Sequence, residues 1–327
     1  MERLVDTAGA KVVGRVSQRL DRVSPAYYVG RGKAVELRNL VLARGASLVV
    51  FDDDLSPAQG KNLEALLGVR VVDRTEIILA IFARRAQSRE ARMQVELAQH
   101  EYLLPRLARM WVHLSRIRGG IGLRGPGEAQ IETDRRLIRR KISGLKKQLD
   151  RVARHRRTVR GGRRSIPTVA LVGYTNAGKS SLLNALTGAN AFVEDRLFAT
   201  LDTLVRECDL GHGLRVRLVD TVGFIRKLPH HLVASFRATL EEATGADALI
   251  HVVDGSHPDW EDHVRVVRDV LAELVPPGRP TLMVLNKLDR VAEPESLLRT
   301  AGLSFGEVVG TSLLRPFVHG VDLVRGW

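Results

Sequence analysis

One cysteine in 327 residues, Cys208, excludes any disulfide within the chain and fits a reducing compartment. No apolar run approaches the length of a bilayer span, so no stable membrane insertion is expected. The opening Met1-Glu2-Arg3-Leu4-Val5-Asp6 lacks the apolar core of a signal peptide, and a cytoplasmic location is expected. The ten histidines show no zinc-like spacing: His257 and His263 flank a helix start, His230-His231 sit beside a proline, and all read as surface or packing residues. What is there is a chain with 44% apolar content, long enough for two domains with their own cores.

Acid is missing from one segment in particular. Residues 135–164 hold fourteen Lys/Arg against a single acid, Asp150, a net +13 out of the chain's +14. Elsewhere 37 basic residues face 36 acidic ones. A charge run is usually a solvated helical face, but this density and single sign are the footprint of a polyanion binder, and nucleic acid is the favoured partner.

The chain is organised around Gly173-Tyr174-Thr175-Asn176-Ala177-Gly178-Lys179-Ser180, which fits G-x-x-x-x-G-K-[ST]. A strand-like run, Thr168 to Val172, precedes it, and a helix-like run opening at Ser181 follows. In that context glycines let backbone N–H groups turn inward onto a β-phosphate at a helix N-terminus. Lys179 adds a positive charge on the β- and γ-phosphates, and the Ser180 hydroxyl is the expected Mg²⁺ ligand. Asp220-Thr221-Val222-Gly223 follows the extended Val216–Val219; Asp220 is read as holding Mg²⁺ through water and the Gly223 N–H as sensing the γ-phosphate. Asn286-Lys287-Leu288-Asp289 follows the strand Thr281–Leu285. Its Asp289 carboxylate can accept from both donors on guanine's edge, Asn286 meets the base edge and ties down the phosphate loop, and Lys287 lies along the purine face. Adenine offers no such donor pair, which makes the expected nucleotide GTP/GDP. Ser312, with Leu313 beside it, stands after Glu307–Gly310 where the last guanine loop belongs.

Between these motifs Leu197-Phe198-Ala199-Thr200-Leu201-Asp202 reads as a switch loop whose threonine closes on Mg²⁺ and γ-phosphate; Thr200 and Thr203 compete for that role. Lys179, Thr200, Asp220 and Gly223 are the candidate catalytic set. Phe224 follows Gly223 where many GTPases carry the glutamine that orients water. Slow intrinsic hydrolysis is therefore expected, with Asn176 as a candidate site for a monovalent cation such as K⁺.

Ahead of this domain (167–327), residues 1–86 read as a small α/β unit. Its expected strands are Val12–Val16, Ser47–Phe51 and Val69–Val72; its expected helices are Lys33–Ala43, one from Pro57, and Thr75–Arg85. Gly30-Arg31-Gly32-Lys33 lacks the length and hydroxyl of a phosphate loop and reads as a turn. Residues 87–160 carry two apolar seams, Met93-Leu97-His100-Leu104-Leu107-Trp111-Leu114 and Ile138-Ile142-Leu145-Leu149-Val152-Arg156-Val159, both stepping four and three. They predict an antiparallel helical hairpin with a glycine-rich tip loop at 119–128, kinked or restarted at Pro105, and a linker at 161–166. The fold class expected is α/β: a P-loop GTPase domain with a mostly parallel sheet, preceded by a small α/β domain with a long hairpin.

The sequence resembles the HflX GTPases over nearly its whole length. The resemblance is carried by Phe51-Asp52-Asp53-Asp54-Leu55-Ser56-Pro57-Ala58-Gln59, Gln94–Gln99, Gly125-Pro126-Gly127-Glu128-Ala129-Gln130 through Arg136, the phosphate loop, Leu197–Asp202 and Asp220–Phe224. That resemblance implies a monomer whose basic hairpin and tip bind the large ribosomal subunit and its rRNA. It also implies subunit-stimulated GTP hydrolysis and a role in ribosome splitting, rescue or biogenesis. It assigns Mg²⁺ to Ser180 and Thr200 and the switch contact to Phe198, Ala199, Thr200, Leu201 and Asp202. Many relatives carry a further C-terminal domain, whereas here at most a stub of the final helix precedes Trp327. Two other readings share the motifs: a GTP-gated ribosome- or RNA-binding module with negligible hydrolysis, and a GTPase of rRNA or tRNA maturation.

Overall fold

The computed structural model describes residues 1–110, 126–161, 166–188, 194–211, 213–227, 244–313 and 320–327. The chain forms two compact units, one of residues 1–84 and 93–148, the other of residues 85–92 and 149–327. Among the described residues, no helix is long and apolar enough to cross a membrane.

In the first unit α1 (Glu2–Thr7), α2 (Arg31–Arg44), α3 (Pro57–Leu67) and α4 (Arg74–Arg85) surround a two-stranded parallel sheet of β1 (Leu48–Val50) and β2 (Arg70–Val72). Helix α3 opens on a full capping box: the Gln59 N–H donates to the Ser56 hydroxyl and the Ser56 N–H to the Gln59 side chain. Val41, Val49, Phe51, Leu63 and Val71 form the core. Residues 12–16, expected as a strand, form none, because β-branched residues make a strand only when a sheet edge is available to pair with them. Gly30 precedes α2 and Arg31–Lys33 are its first turn rather than a free turn.

Helix α5 (Arg89–Met110) continues through Pro105 without the expected restart. Side-chain bonds secure that stretch: Arg106 donates to the Tyr102 carbonyl at 3.0 Å, to the Leu55 carbonyl at 3.0 Å and to the Asp73 carboxylate at 2.8 Å, and Tyr102 donates to Glu76 at 3.3 Å. Met93 and Leu97 of the expected seam are buried, but so are Gln94, Val95, Ala98 and Tyr102 on the next face. The helix thus buries a wider face than the single stripe the seam predicts, and from Met93 on it belongs to the same compact unit as residues 1–84. Helix α6 (Pro126–Gly161) begins inside the expected tip loop, at a proline suited to a first helical position. Residues 111–125, with Trp111, Leu114 and the rest of the tip, lie outside the described residues. Leu145 and Leu149 are buried as the second seam predicts, Lys146 pairs with Glu101 at 2.8 Å, and Arg136, Arg139, Arg140, Lys141 and Lys147 are exposed.

The second unit is built on a six-stranded sheet in the order β4 (Leu204–Gly211), β5 (Leu214–Asp220), β3 (Thr168–Gly173), β6 (Ala248–Asp254), β7 (Thr281–Asn286), β8 (Val308–Gly310). Only the β4–β5 pair is antiparallel. One face buries Leu182, Leu183 and Leu186 of α7 (Lys179–Thr187) and Val324 of α10 (Val321–Gly326). The other buries Trp260, Val264, Val267 and Leu271 of α8 (Trp260–Leu274), a four-three-four spacing, and Ala301 of α9 (Pro294–Phe305). The parallel register brings Gly173, Asp220, Asp254 and Asn286 to one edge, the carboxyl ends of the strands, where open α/β sheets hold their ligands.

Candidate functional site

Three glycines make the loop possible. A Cβ on Gly173 would stand 2.1 Å from the Val252 carbonyl oxygen, one on Gly178 2.1 Å from the Asn286 amide nitrogen, and one on Gly223 2.6 Å from the Thr175 Cα. Gly178, at φ +102°, opens α7, so the loop delivers its N–H groups at a helix N-terminus. Lys179 is buried, and its ammonium donates to the carbonyls of Gly173 at 3.3 Å and Tyr174 at 3.0 Å. Burial lowers its pKa to about 8, with the Asp220 carboxylate opposing the drop. Burial pushes the Asp220 carboxyl up, against the pull of Lys179, Ser180 and Thr200.

The Ser180 hydroxyl donates to Asp220 Oδ2 at 2.5 Å and lies 2.6 Å from the Thr200 hydroxyl. Of the two competing threonines, Thr200 is thus the one whose hydroxyl meets the phosphate loop at Ser180. Asp220 Oδ1 is buried without a hydrogen-bond partner. Two hydroxyls and a carboxylate with a spare oxygen are a hard-cation donor set, and they fit Mg²⁺. Thr175, Lys179, Ser180, Thr200, Thr221 and Gly223 line the cleft together with Ser181, Phe198, Ala199 and two residues that motif spacing missed, Glu194 and Arg196. No fixed spacing leads to that pair; it is brought there by the fold of the switch loop.

The remaining switch residues divide. The Phe198 N–H donates to the Thr175 hydroxyl at 2.7 Å while its ring is buried, at φ +54°. Leu201 is buried in the protein, and the Asp202 carboxylate accepts from the N–H groups of Gln87 and Ser88; neither lines the cleft, contrary to the expectation of nucleotide contact. Phe224 is also turned inward, into a cluster with Ala170, Val172 and Val219. Its backbone holds the start of the phosphate loop, donating to the Gly173 carbonyl at 3.0 Å and accepting from the Thr175 N–H at 2.6 Å. Val222 is buried and the Thr221 hydroxyl donates to the Leu171 carbonyl at 2.7 Å. The Tyr174 ring stacks on His263 at 3.7 Å, and burial followed by the neighbouring His257 lowers the His263 pKa to about 4.

At the base end, the Asn286 amide donates to the Ala177 carbonyl at 2.9 Å and its oxygen accepts from Thr311 at 3.2 Å. Lys287, in left-handed backbone at φ +64°, donates to the Asn176 carbonyl at 2.9 Å and to Asp254 at 2.7 Å. Burial pushes the Asp254 carboxyl up, but Lys287 and the bonds from Ser256 together hold it below its usual value. Ser312 donates to Asp289 at 2.6 Å. Leu288 and Leu313 pack against the core clusters. Asp254 and Thr311 were not found from the motifs; both sit at strand ends that the register aligns with Asn286.

Comparison with known proteins follows these sites along the chain. Residues 1–83 match the GTP-binding GTPase N-terminal family, residues 85–163 the GTP-binding GTPase middle region, and residues 168–287 the 50S ribosome-binding GTPase family. GTPase HflX of Flavobacterium psychrophilum is 51% identical over 88% of this chain and 70% of its own length. The chain belongs to the HflX GTPase family. GTPase HflX of Escherichia coli is 49% identical over 90% of this chain and 70% of that protein. A GTP-binding protein from Sulfolobus solfataricus, solved in complex with GDP, is 27% identical with a TM-score of 0.50, covering 99% of this chain and 91% of that one. Like its HflX relatives, the chain is a GTP-hydrolysing enzyme with the P-loop GTPase fold, and it binds guanine nucleotide.

Proposed function

We propose that this HflX-family GTPase acts in the cytoplasm on the large ribosomal subunit, hydrolysing GTP to GDP and phosphate to end its own binding during ribosome splitting, rescue or biogenesis. The observation that carries the reading is the joint presence of a closed Thr200–Ser180–Asp220 cluster and a strongly basic helix, α6, with Arg136, Arg139, Arg140, Lys141 and Lys147 exposed. The family description of residues 168–287 points to the same partner. No feature of the reading calls for a second copy.

In this reading the loop N–H groups and Lys179 bind the β- and γ-phosphates, and Asp289 and Asn286 select guanine. Ser180 and Thr200 are Mg²⁺ ligands, with Asp220 behind them; the metal, when bound, supplies positive charge where negative charge builds on the phosphate oxygens. The Gly223 N–H follows the γ-phosphate. Because Phe224 is turned into the core, water is ordered by other groups. The Asn176 side-chain nitrogen is committed to Asp195 at 2.7 Å, which leaves its side-chain oxygen as the atom to hold a monovalent cation such as K⁺. Equal turnover in K⁺ and Na⁺ buffers would remove that last element.

The test is GTP turnover with and without purified large subunits, for the wild-type chain and for a variant with Arg139, Arg140 and Lys147 changed to Gln. Each lost phosphate contact should lower the logarithmic salt slope of subunit binding by about one. Subunit-stimulated turnover that weakens in the variant supports the reading. Stimulation by free rRNA or tRNA fragments equal to that by whole subunits would favour an RNA-maturation partner instead.

A further inference from the structure

The switch loop is held from outside the sequence of the GTPase domain. Asp202 lies two residues after Thr200. Its carboxylate accepts from the N–H of Gln87 at 2.9 Å, from the N–H of Ser88 at 3.2 Å, and from the Ser88 hydroxyl. Ser88 stands just before α5, where its hydroxyl accepts from the Ala91 N–H at 3.0 Å and its carbonyl from Arg92. On the other flank Glu194 pairs with Arg85, the last residue of α4, at 2.5 Å and with Arg196 at 3.1 Å. Arg85–Arg92 fall within the match to the middle region yet belong to the same compact unit as the nucleotide site. From Met93 on, α5 is part of the other unit.

We propose that Arg85 and Ser88 are positioning residues for GTP hydrolysis, clamping the two flanks of the Thr200 loop through Glu194 and Asp202 so that Thr200 stays closed on Ser180. The physical case is one of linkage. Besides the Thr200 contact, the Phe198 N–H bonds the Thr175 hydroxyl and the Asn176 amide bonds Asp195, tying the loop to the phosphate loop. A half-buried ion pair and three bonds to one carboxylate bias it toward the closed form. A ligand that favours the closed form must in return strengthen the clamp at the start of α5 by the same factor. GTP occupancy is thereby written into the first turn of a helix that continues into the other unit. The inference rests on the Thr200 role proposed above.

The experiment uses the full chain. Affinities for GDP and for a non-hydrolysable GTP analogue are measured in the wild type and in Ser88→Ala, Arg85→Met and Thr200→Ala variants. The clamp predicts that S88A and R85M each lower the analogue-to-GDP affinity ratio and kcat by about tenfold while GDP affinity stays within about twofold. A merely structural role would weaken both nucleotides alike. The charge-swapped pair R85E with E194R should recover most of the ratio lost in R85E alone. In the wild type, hydrogen exchange at the Gln87 and Ser88 amides should be slower with the analogue than with GDP, a readout that holds even if a variant misfolds. An unchanged ratio in S88A and R85M, no recovery in the swap, or equal exchange in the two nucleotide states each overturns the clamp. An unchanged ratio in T200A instead overturns the assignment of Thr200, and the exchange result then judges the clamp alone.

Discussion

Nucleotide binding to this chain should be linked to proton uptake, and the link can be traced to one atom. In the structure the Lys179 ammonium is buried, bonded to two loop carbonyls, with a pKa lowered to about 8 by desolvation. A bound diphosphate replaces that environment with negative charge, which returns the pKa well above 8. At pH 8.5 about three-quarters of the free protein then carries a neutral Lys179, and binding GDP takes up about 0.8 proton. The same equilibrium weakens apparent GDP affinity about fourfold between pH 7 and pH 8.5. Titration calorimetry in two buffers of different ionisation enthalpy measures the uptake directly. Restricting the range to pH 8.5 keeps the guanine ring itself out of the titration. Binding heats independent of the buffer at pH 8.0 to 8.5 would refute the reasoning, because they would mean that Lys179 is already fully charged in the empty loop. A Lys179→Arg protein that still binds GDP should lose the uptake, since its guanidinium does not titrate there.

Three further outcomes follow from the geometry. Gly178→Ala places a Cβ 2.1 Å from the Asn286 amide at φ +102°, so it should cut GDP affinity by about a hundredfold or more while the far-ultraviolet dichroism stays native. Asp289→Asn exchanges an acceptor for a donor opposite the guanine edge; competition binding should show GTP weakened by about 3 kcal/mol and a xanthine nucleotide gaining in its place, and unchanged preference would contradict the assignment. His251 is buried in β6, where burial, then Arg268 and Lys179, lower its pKa to about 3. The folded pKa lies below the unfolded one, so stability is full above pH 6.5 and falls as pH drops through the window down to about 3; at pH 5 the cost is about 2 kcal/mol. Denaturant melts of His251→Leu at pH 7 and pH 5 should show that much less acid destabilisation than the wild type.

What could be read along the chain was whatever the chemistry forces into local order. A phosphate loop needs its glycines and its lysine within eight consecutive residues, because one turn of backbone cradles one phosphate. Asp220-Thr221-Val222-Gly223 and Asn286-Lys287-Leu288-Asp289 are contiguous for the same reason, since each is a strand end meeting one part of the nucleotide. Strands buried on both faces, such as Thr168–Gly173 and Thr281–Asn286, show themselves as apolar runs. Helical periodicity likewise marked α2, and Pro57, suited to a first turn, marked the start of α3.

Tertiary structure decided everything that depends on pairing between distant residues. Val12–Val16 has strand-like residues, but without a paired edge it forms no strand. Pro105 lacks a backbone donor, yet Arg106, reaching Leu55 and Asp73, holds the helix through it. The four-three seam of α5 predicted one buried stripe, and packing buried a second. Phe224 looked like a replacement for a water-orienting side chain, whereas its ring is core and its backbone bonds the start of the phosphate loop at Gly173 and Thr175. Thr200 and Thr203 were equivalent in the sequence until the fold brought one of them to Ser180. The partners of Asp202 lie 114 and 115 residues away, beyond the reach of any spacing rule. Residue type and local spacing determined which chemistry this protein performs; the sheet register and the folding of the switch loop decided which atoms meet to perform it, because contact is a property of position in space and not of order along the chain.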